Sequence, residues 1–135
     1  MSPEAVPMSD STGEAKAKRL RVLVVEDHAP TRMAMSRLIR QAGAEVLTAR
    51  DGEEGLGYLL TQRFDVLLTD LRMPKMDGFE LLQHCQTLPD SHRPRRVIAI
   101  SGEYEAGALS GQPVQFLAKP FNLDVLLDML SGKPN

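Results

Sequence analysis

Cysteine is almost missing from this chain: Cys85 is the single one in 135 residues, and there is no Trp. One thiol excludes an internal disulfide framework and leaves a cysteine-based zinc site without ligands. No uninterrupted apolar run approaches the ~20 residues of a membrane-spanning helix. The opening residues, Met1 through Met8, lack the basic and apolar regions of a signal peptide. Charge of one sign is also lacking. Sixteen Lys+Arg against 18 Asp+Glu give a net charge of -2, so composition supplies no electrostatic reason to expect nucleic-acid binding. What is present, 42% hydrophobic and 25% charged residues, suits one globular domain able to bury a core. The expectation is a cytoplasmic protein without membrane or nucleic-acid partners.

Residues 1–19 differ from the rest. Val6 and Met8 are their only large apolar side chains after the initiator, too few to offset the entropy of ordering. This stretch reads as a flexible tail. From Leu20 onward short apolar runs alternate with helical patterns. Arg21–Val25, Glu45–Ala49, Phe64–Asp70, Val97–Ile100 and Val114–Ala118 are strand candidates. Their continuous apolar character, without polar alternation, points to strands covered on both faces, as in parallel sheets. Helices are expected from Pro30 to Gly43, from about Glu53 to Gln62, after Asp77-Gly78, and from an Asn122 cap through Leu130. Alternating strands and helices imply an α/β, doubly wound, five-stranded parallel sheet with helices on both faces. The domain is expected over 20–131, with 132–135 a short tail.

In such sheets the working crevice lies outside the carboxyl ends of the strands. Four of those ends are polar: Glu26 and Asp27 after the first, Asp70 after the third, Ser101 after the fourth, Lys119 after the fifth. Parallel strands bring them to one edge. Three carboxylates and one ammonium leave an excess of negative charge that a divalent, oxygen-seeking cation such as Mg2+ relieves. A metal, a free carboxylate, a hydroxyl donor and a Lys are the parts needed for phosphoryl transfer to a carboxylate.

The run Val24-Val25-Glu26-Asp27, the segment Asp70 to Gly78 (Asp-Leu-Arg-Met-Pro-Lys-Met-Asp-Gly) and Lys119-Pro120-Phe121 resemble the receiver domain of bacterial two-component response regulators. The spacings agree: Asp27 and Asp70 lie 43 residues apart, Asp70 and Ser101 31. The resemblance covers about residues 20–131 and implies a flavodoxin-like strand order 2-1-3-4-5. It implies that Asp70 is the phosphoacceptor. Glu26, Asp27, Asp70 and the Arg72 backbone carbonyl would hold Mg2+, Lys119 would bind the phosphoryl group, and Ser101 and Phe116 would form the switch pair. The implied partners are a sensor histidine kinase or histidine phosphotransfer protein and a downstream protein target. The chain would be a stand-alone, chemotaxis-regulator-like module, and not a turnover enzyme.

Several features depart from the family pattern. Glu26 stands where Asp is commoner. Only 15 residues separate Ser101 from Phe116, and they include Gly102, Gly107, Gly111 and Pro113, so the fourth helix is expected to be short or irregular. Arg72 and Glu103 lie two residues after Asp70 and Ser101, where a pair could hinder the hydrolytic water and lengthen the phosphorylated state. The alternative for that pair is a solvated surface contact. Met33 and Met35 offer either a partner-binding face or core packing. His28, His84 and His92 are too scattered for a metal site, and Arg93, Arg95 and Arg96 read as a solvated loop. Competing readings of the whole chain are the receiver portion of a longer hybrid kinase or regulator, a receiver-like binding module that is never phosphorylated, and a haloacid-dehalogenase-type phosphatase. That phosphatase would want Asp-x-Asp after the first strand, where this chain has Glu26-Asp27-His28.

Overall fold

Five strands form one parallel sheet in a computed structural model that describes residues 19–73, 75–101, 114–119 and 122–130. The strands are β1 (Arg21–Val25), β2 (Glu45–Ala49), β3 (Val66–Asp70), β4 (Arg96–Ser101) and β5 (Gln115–Ala118). The helices are α1 (Ala29–Gln41), α2 (Gly52–Thr61), α3 (Gly78–Gln86) and α4 (Leu123–Leu130). The spatial order is β2-β1-β3-β4-β5, and every neighbouring pair is parallel, the doubly wound, flavodoxin-like order expected. The expected tails apart from Arg19, the segment 102–113 where a short or irregular fourth helix is expected, and Glu103 within it fall outside the described residues.

Alternation along each strand sorts the core into two layers. Leu23 and Val25 of β1, Leu67 of β3 and Ala99 of β4 join Leu59 of α2 and Leu81, Leu82 and Cys85 of α3. Val22, Val24, Val66, Leu68, Ile98, Ile100 and Leu117 face the other way. They pack against Met35 and Ile39 of α1 and Leu126 and Leu130 of α4. Both sheet faces are therefore covered, which is why the strands read as unbroken apolar runs.

Local signals fix the helix ends. Asp51 accepts from the Glu54 amide, and Asp77 and Glu80 form a reciprocal capping box at the start of α3. Asn122 Oδ1 accepts from the Asp124 amide at 2.7 Å, the expected cap of α4. Gly43, at φ 105°, ends α1 in a conformation that L side chains rarely adopt.

Three expectations need correction. β3 starts at Val66 rather than Phe64, because the Asp65 amide donates to Arg21 O and the Asp65 carboxylate accepts from the Arg21 amide. Arg96 is no loop residue. It opens β4, is half-buried, and its guanidinium reaches Gln115 Oε1 and the Met129 and Leu130 carbonyls, tying two strands to the end of α4. Met33 and Met35 do not share a face: Met35 is 1% exposed in the core, and Met33 is 60% exposed.

Candidate functional site

The carboxyl edge of the sheet holds the polar strand ends. Residues 66–70 of β3 are all buried, so Asp70 arrives at that edge on a strand with no freedom to swing. Thr69 Oγ1 donates to the Asp70 carbonyl at 2.8 Å, and the Leu71 amide donates to Ile100 O, holding β3 against β4 beyond its last ladder pair. Gly78 closes the loop that follows. A Cβ there would sit 2.3 Å from the Asp70 carbonyl oxygen and 2.7 Å from Leu71 Cα, so only glycine allows α3 to start this close to the carboxylate's own backbone.

Both oxygens of Asp70 are engaged. Oδ2 accepts from Lys119 Nζ at 2.8 Å, and Oδ1 accepts from the Arg72 amide at 3.1 Å. Lys119 reaches the site because its amide donates to Ser101 O at 2.8 Å, extending the β4–β5 pairing. Burial would lower the Lys119 pKa. The Asp70 hydrogen bond and the charges of Asp70, Glu26 and Asp27 outweigh it and hold the ammonium above its ordinary value.

Glu26 follows β1 and is buried with Asp70, whereas Asp27 is exposed. Its Oε2 accepts from the His28 amide at 3.0 Å. Its Oε1 is the one buried side-chain polar atom without a hydrogen-bond partner among the described residues. Burial, opposed by the His28 hydrogen bond and reinforced by the Asp70 charge, pushes the Glu26 pKa up to about 7. Glu26, Asp27 and Asp70 each offer an oxygen within 4.8 Å of the others. Three hard oxygen donors and an orphaned buried carboxylate oxygen fit a divalent cation of the Mg2+ or Ca2+ type. A cation there would satisfy Oε1 and remove the like-charge strain.

Ser101 is buried at the end of β4, and Phe116 of β5 is half-buried against the α2–α3 layer. The structure thus brings Glu26, Asp27, Asp70, Ser101 and Lys119 to one edge, with Phe116 two residues before Ala118, the partner of Ser101 in the β4–β5 ladder. The Arg72 amide donates to Asp70 Oδ1, which fixes the backbone beside the carboxylate. The suggested Arg72–Glu103 pair lies outside the described residues. His28 and His84 are exposed and His92 half-buried, and none joins the acidic group. Sequence reasoning missed the Glu26 amide anchor at His28 and the role of Gly78; the Asp77-Gly78 dipeptide was the available signal for the latter.

A family model described as the response regulator receiver domain matches residues 22–131. Sensor protein EvgS of Escherichia coli K12 is 34% identical over 139 residues, covering 96% of this chain and 11% of EvgS. A probable chemotaxis protein CheY of Rhizobium etli is 32% identical over 114 residues, covering 80% of this chain and 87% of that protein. Among solved structures, chemotaxis response regulator CheY4 of Vibrio cholerae superposes with a TM-score of 0.76 at 30% identity, over 85% of this chain and 98% of CheY4. The chain therefore spans about a tenth of the length of the sensor protein it matches and most of the length of the CheY proteins.

Proposed function

The chain belongs to the response regulator receiver domain family of two-component systems, and from that premise we propose that it accepts a phosphoryl group on Asp70 from a phosphohistidine. The donor is a sensor histidine kinase or a histidine phosphotransfer protein. One Asp70 oxygen forms the new bond to phosphorus while the P–N bond breaks and its electron pair stays on the imidazole of the donor.

The supporting observation is the Asp70 carboxylate, buried on a rigid strand, 2.8 Å from Lys119 and grouped with Glu26 and Asp27. Glu26, Asp27, Asp70 and the Arg72 carbonyl would hold Mg2+, which when bound supplies charge compensation for the phosphoryl oxygens. Lys119 moves from Asp70 Oδ2 to the phosphoryl group, so a cation already in place follows the developing charge. Ser101 donates to a phosphoryl oxygen, and Phe116 turns inward beside it, remodelling the surface read by a downstream protein. Arg72, two residues after Asp70, would lengthen the phosphorylated state by hindering the hydrolytic water. The domain occupies 20–131, between tails 1–19 and 132–135. It acts as a stand-alone regulator in the cytoplasm and is not a turnover enzyme.

A second reading, the receiver portion of a longer hybrid kinase, draws support from the match to EvgS. Phosphotransfer profiling separates the two and tests the whole proposal. Purified, radiolabelled histidine kinases and phosphotransfer proteins are mixed with the chain at short times. Label should pass to the wild type from a cognate donor and not to Asp70→Asn. Transfer to the Asn variant would overturn Asp70 as acceptor, and onward passage of the label from the chain to a phosphotransfer protein would favour the hybrid reading.

A further inference from the structure

The opposite edge of the sheet carries a second charged feature that the acidic site does not use. Arg19, Arg21, Arg63, Arg93 and Arg95 line one cleft of about 490 Å3, floored in part by Leu20 and Phe64. Five of the chain's eleven arginines, and no lysine, meet there in a protein of net charge -2. The cleft lies at the amino ends of β1, β3 and β4. Asp70 lies at their carboxyl ends, ~15 Å away for strands of this length. It is separate from the phosphorylation site.

The arginines fall into two groups. Arg21 and Arg93 are structural. Arg21 stacks 5.0 Å from the Phe64 ring centroid and donates to Arg63 O, Gln62 Oε1 and Glu45 Oε1. Arg93 donates to the Leu88 carbonyl and pairs with Asp90. The guanidiniums of Arg19, Arg63 and Arg95 are exposed and have no acceptor among the described residues. The cleft's two carboxylates cannot serve them fully, since Glu45 Oε1 and Asp65 Oδ2 already accept from Arg21. The backbone beside each free arginine is pinned: Leu20 O accepts from Glu45, Asp65 N donates to Arg21 O, and Arg96 N donates to Asp65 O. Three guanidiniums without an acceptor among the described residues are thereby mounted on a hydrogen-bonded rim.

We propose that this cleft binds a small polyphosphate-bearing ligand, of the size and charge of a nucleoside di- or triphosphate. Guanidiniums present planar donor forks that match phosphate oxygens two at a time, which explains arginine in place of lysine. The volume lies within the ~300–1,000 Å3 range of small-molecule sites. Three positive charges around so small a space call for three or four negative charges on neighbouring atoms. A phosphate chain supplies that density; an acidic peptide spreads the same charge along an extended backbone.

Titration calorimetry with ATP, GTP and inorganic triphosphate, without divalent cations and at about 0.15 M salt, tests the proposal. Saturable binding is expected for all three, retained in Asp70→Asn, weakening steeply as salt rises. Replacing both Arg63 and Arg95 by Ala should weaken it by roughly tenfold or more. Phosphorylation of that double variant by a small phosphodonor with Mg2+ should be unchanged, which also shows that it folds. Absence of saturable binding up to millimolar ligand, binding insensitive to the double substitution, or capture of an oligoglutamate peptide in preference to triphosphate would each overturn it.

Discussion

Lys119 Nζ donates a 2.8 Å hydrogen bond to Asp70 Oδ2, joining the ends of two strands separated by 49 residues of sequence. The pair sets the charge state of the acidic edge: a buried carboxylate is held with its cation, and that cation is half-exposed and free to shift outward. Removing the cation should therefore disable transfer more than folding. Lys119→Ala is expected to slow labelling of Asp70 from a small phosphodonor by roughly 100- to 1,000-fold at saturating Mg2+, with far-UV circular dichroism unchanged. Lys119→Arg should recover part of the rate, since it keeps the charge in a different geometry.

Glu26 makes the metal-free protein pH-dependent. Its pKa is about 7 in the fold against an ordinary 4.5, so the folded state holds the proton more tightly. Its contribution to stability is complete below 4.5 and is lost as pH rises to about 7, a loss of at most roughly 3 kcal/mol. Glu26→Gln cannot ionise and should lack that fall. Urea titrations in chelator at pH 4.5, 6 and 7.5 should show wild type losing stability relative to the variant; parallel curves would contradict this. Divalent cation should restore wild type at pH 7.5 and release protons on binding near pH 6.

Two glycines should respond in opposite directions. Gly78→Ala forces a Cβ to within 2.3 Å of the Asp70 carbonyl oxygen and should destabilise by about 2–4 kcal/mol. Gly57, on the exposed side of α2, has nothing within 4 Å of a built Cβ. Gly57→Ala should stabilise by about 0.5–1 kcal/mol through helix propensity. Thermal unfolding of both variants checks the pair.

Cys85 reports on opening of the α2–α3 layer. Burial, weakly opposed by the Arg93 charge, pushes its thiol up to about 12. At pH 8 a thiol reagent should label the native protein roughly a thousandfold more slowly than the unfolded chain. Rapid labelling of the native state would show that α3 does not stay docked.

Much of the fold was legible because the sheet is covered on both faces. β1 and β2 match the expected runs to the residue: each opens on a charged residue at the sheet's amino edge, Arg21 or Glu45, and continues without another charge to its end. The start of β3 was not legible: Phe64 is buried like a strand residue, but Asp65 beside it is diverted to Arg21. Arg96 was misread because charge alone does not reveal that its guanidinium caps the α4 carbonyls. Met33 and Met35 could have been separated by helical period, since Met35 shares its face with Ile39 and Met33 does not. The acidic edge was readable from the polar strand ends. The orphaned Glu26 oxygen was not, because which of its two buried oxygens finds the His28 amide and which finds no partner depends on packing that residue type does not encode.

The most direct test is to incubate the full chain with a small-molecule phosphodonor and Mg2+, then locate the phosphoryl group by mass spectrometry. The account predicts one hydroxylamine-labile phosphoryl group on Asp70, absent without Mg2+ and absent in Asp70→Asn. Labelling that persists in the Asn variant, or that maps to another residue, would contradict it.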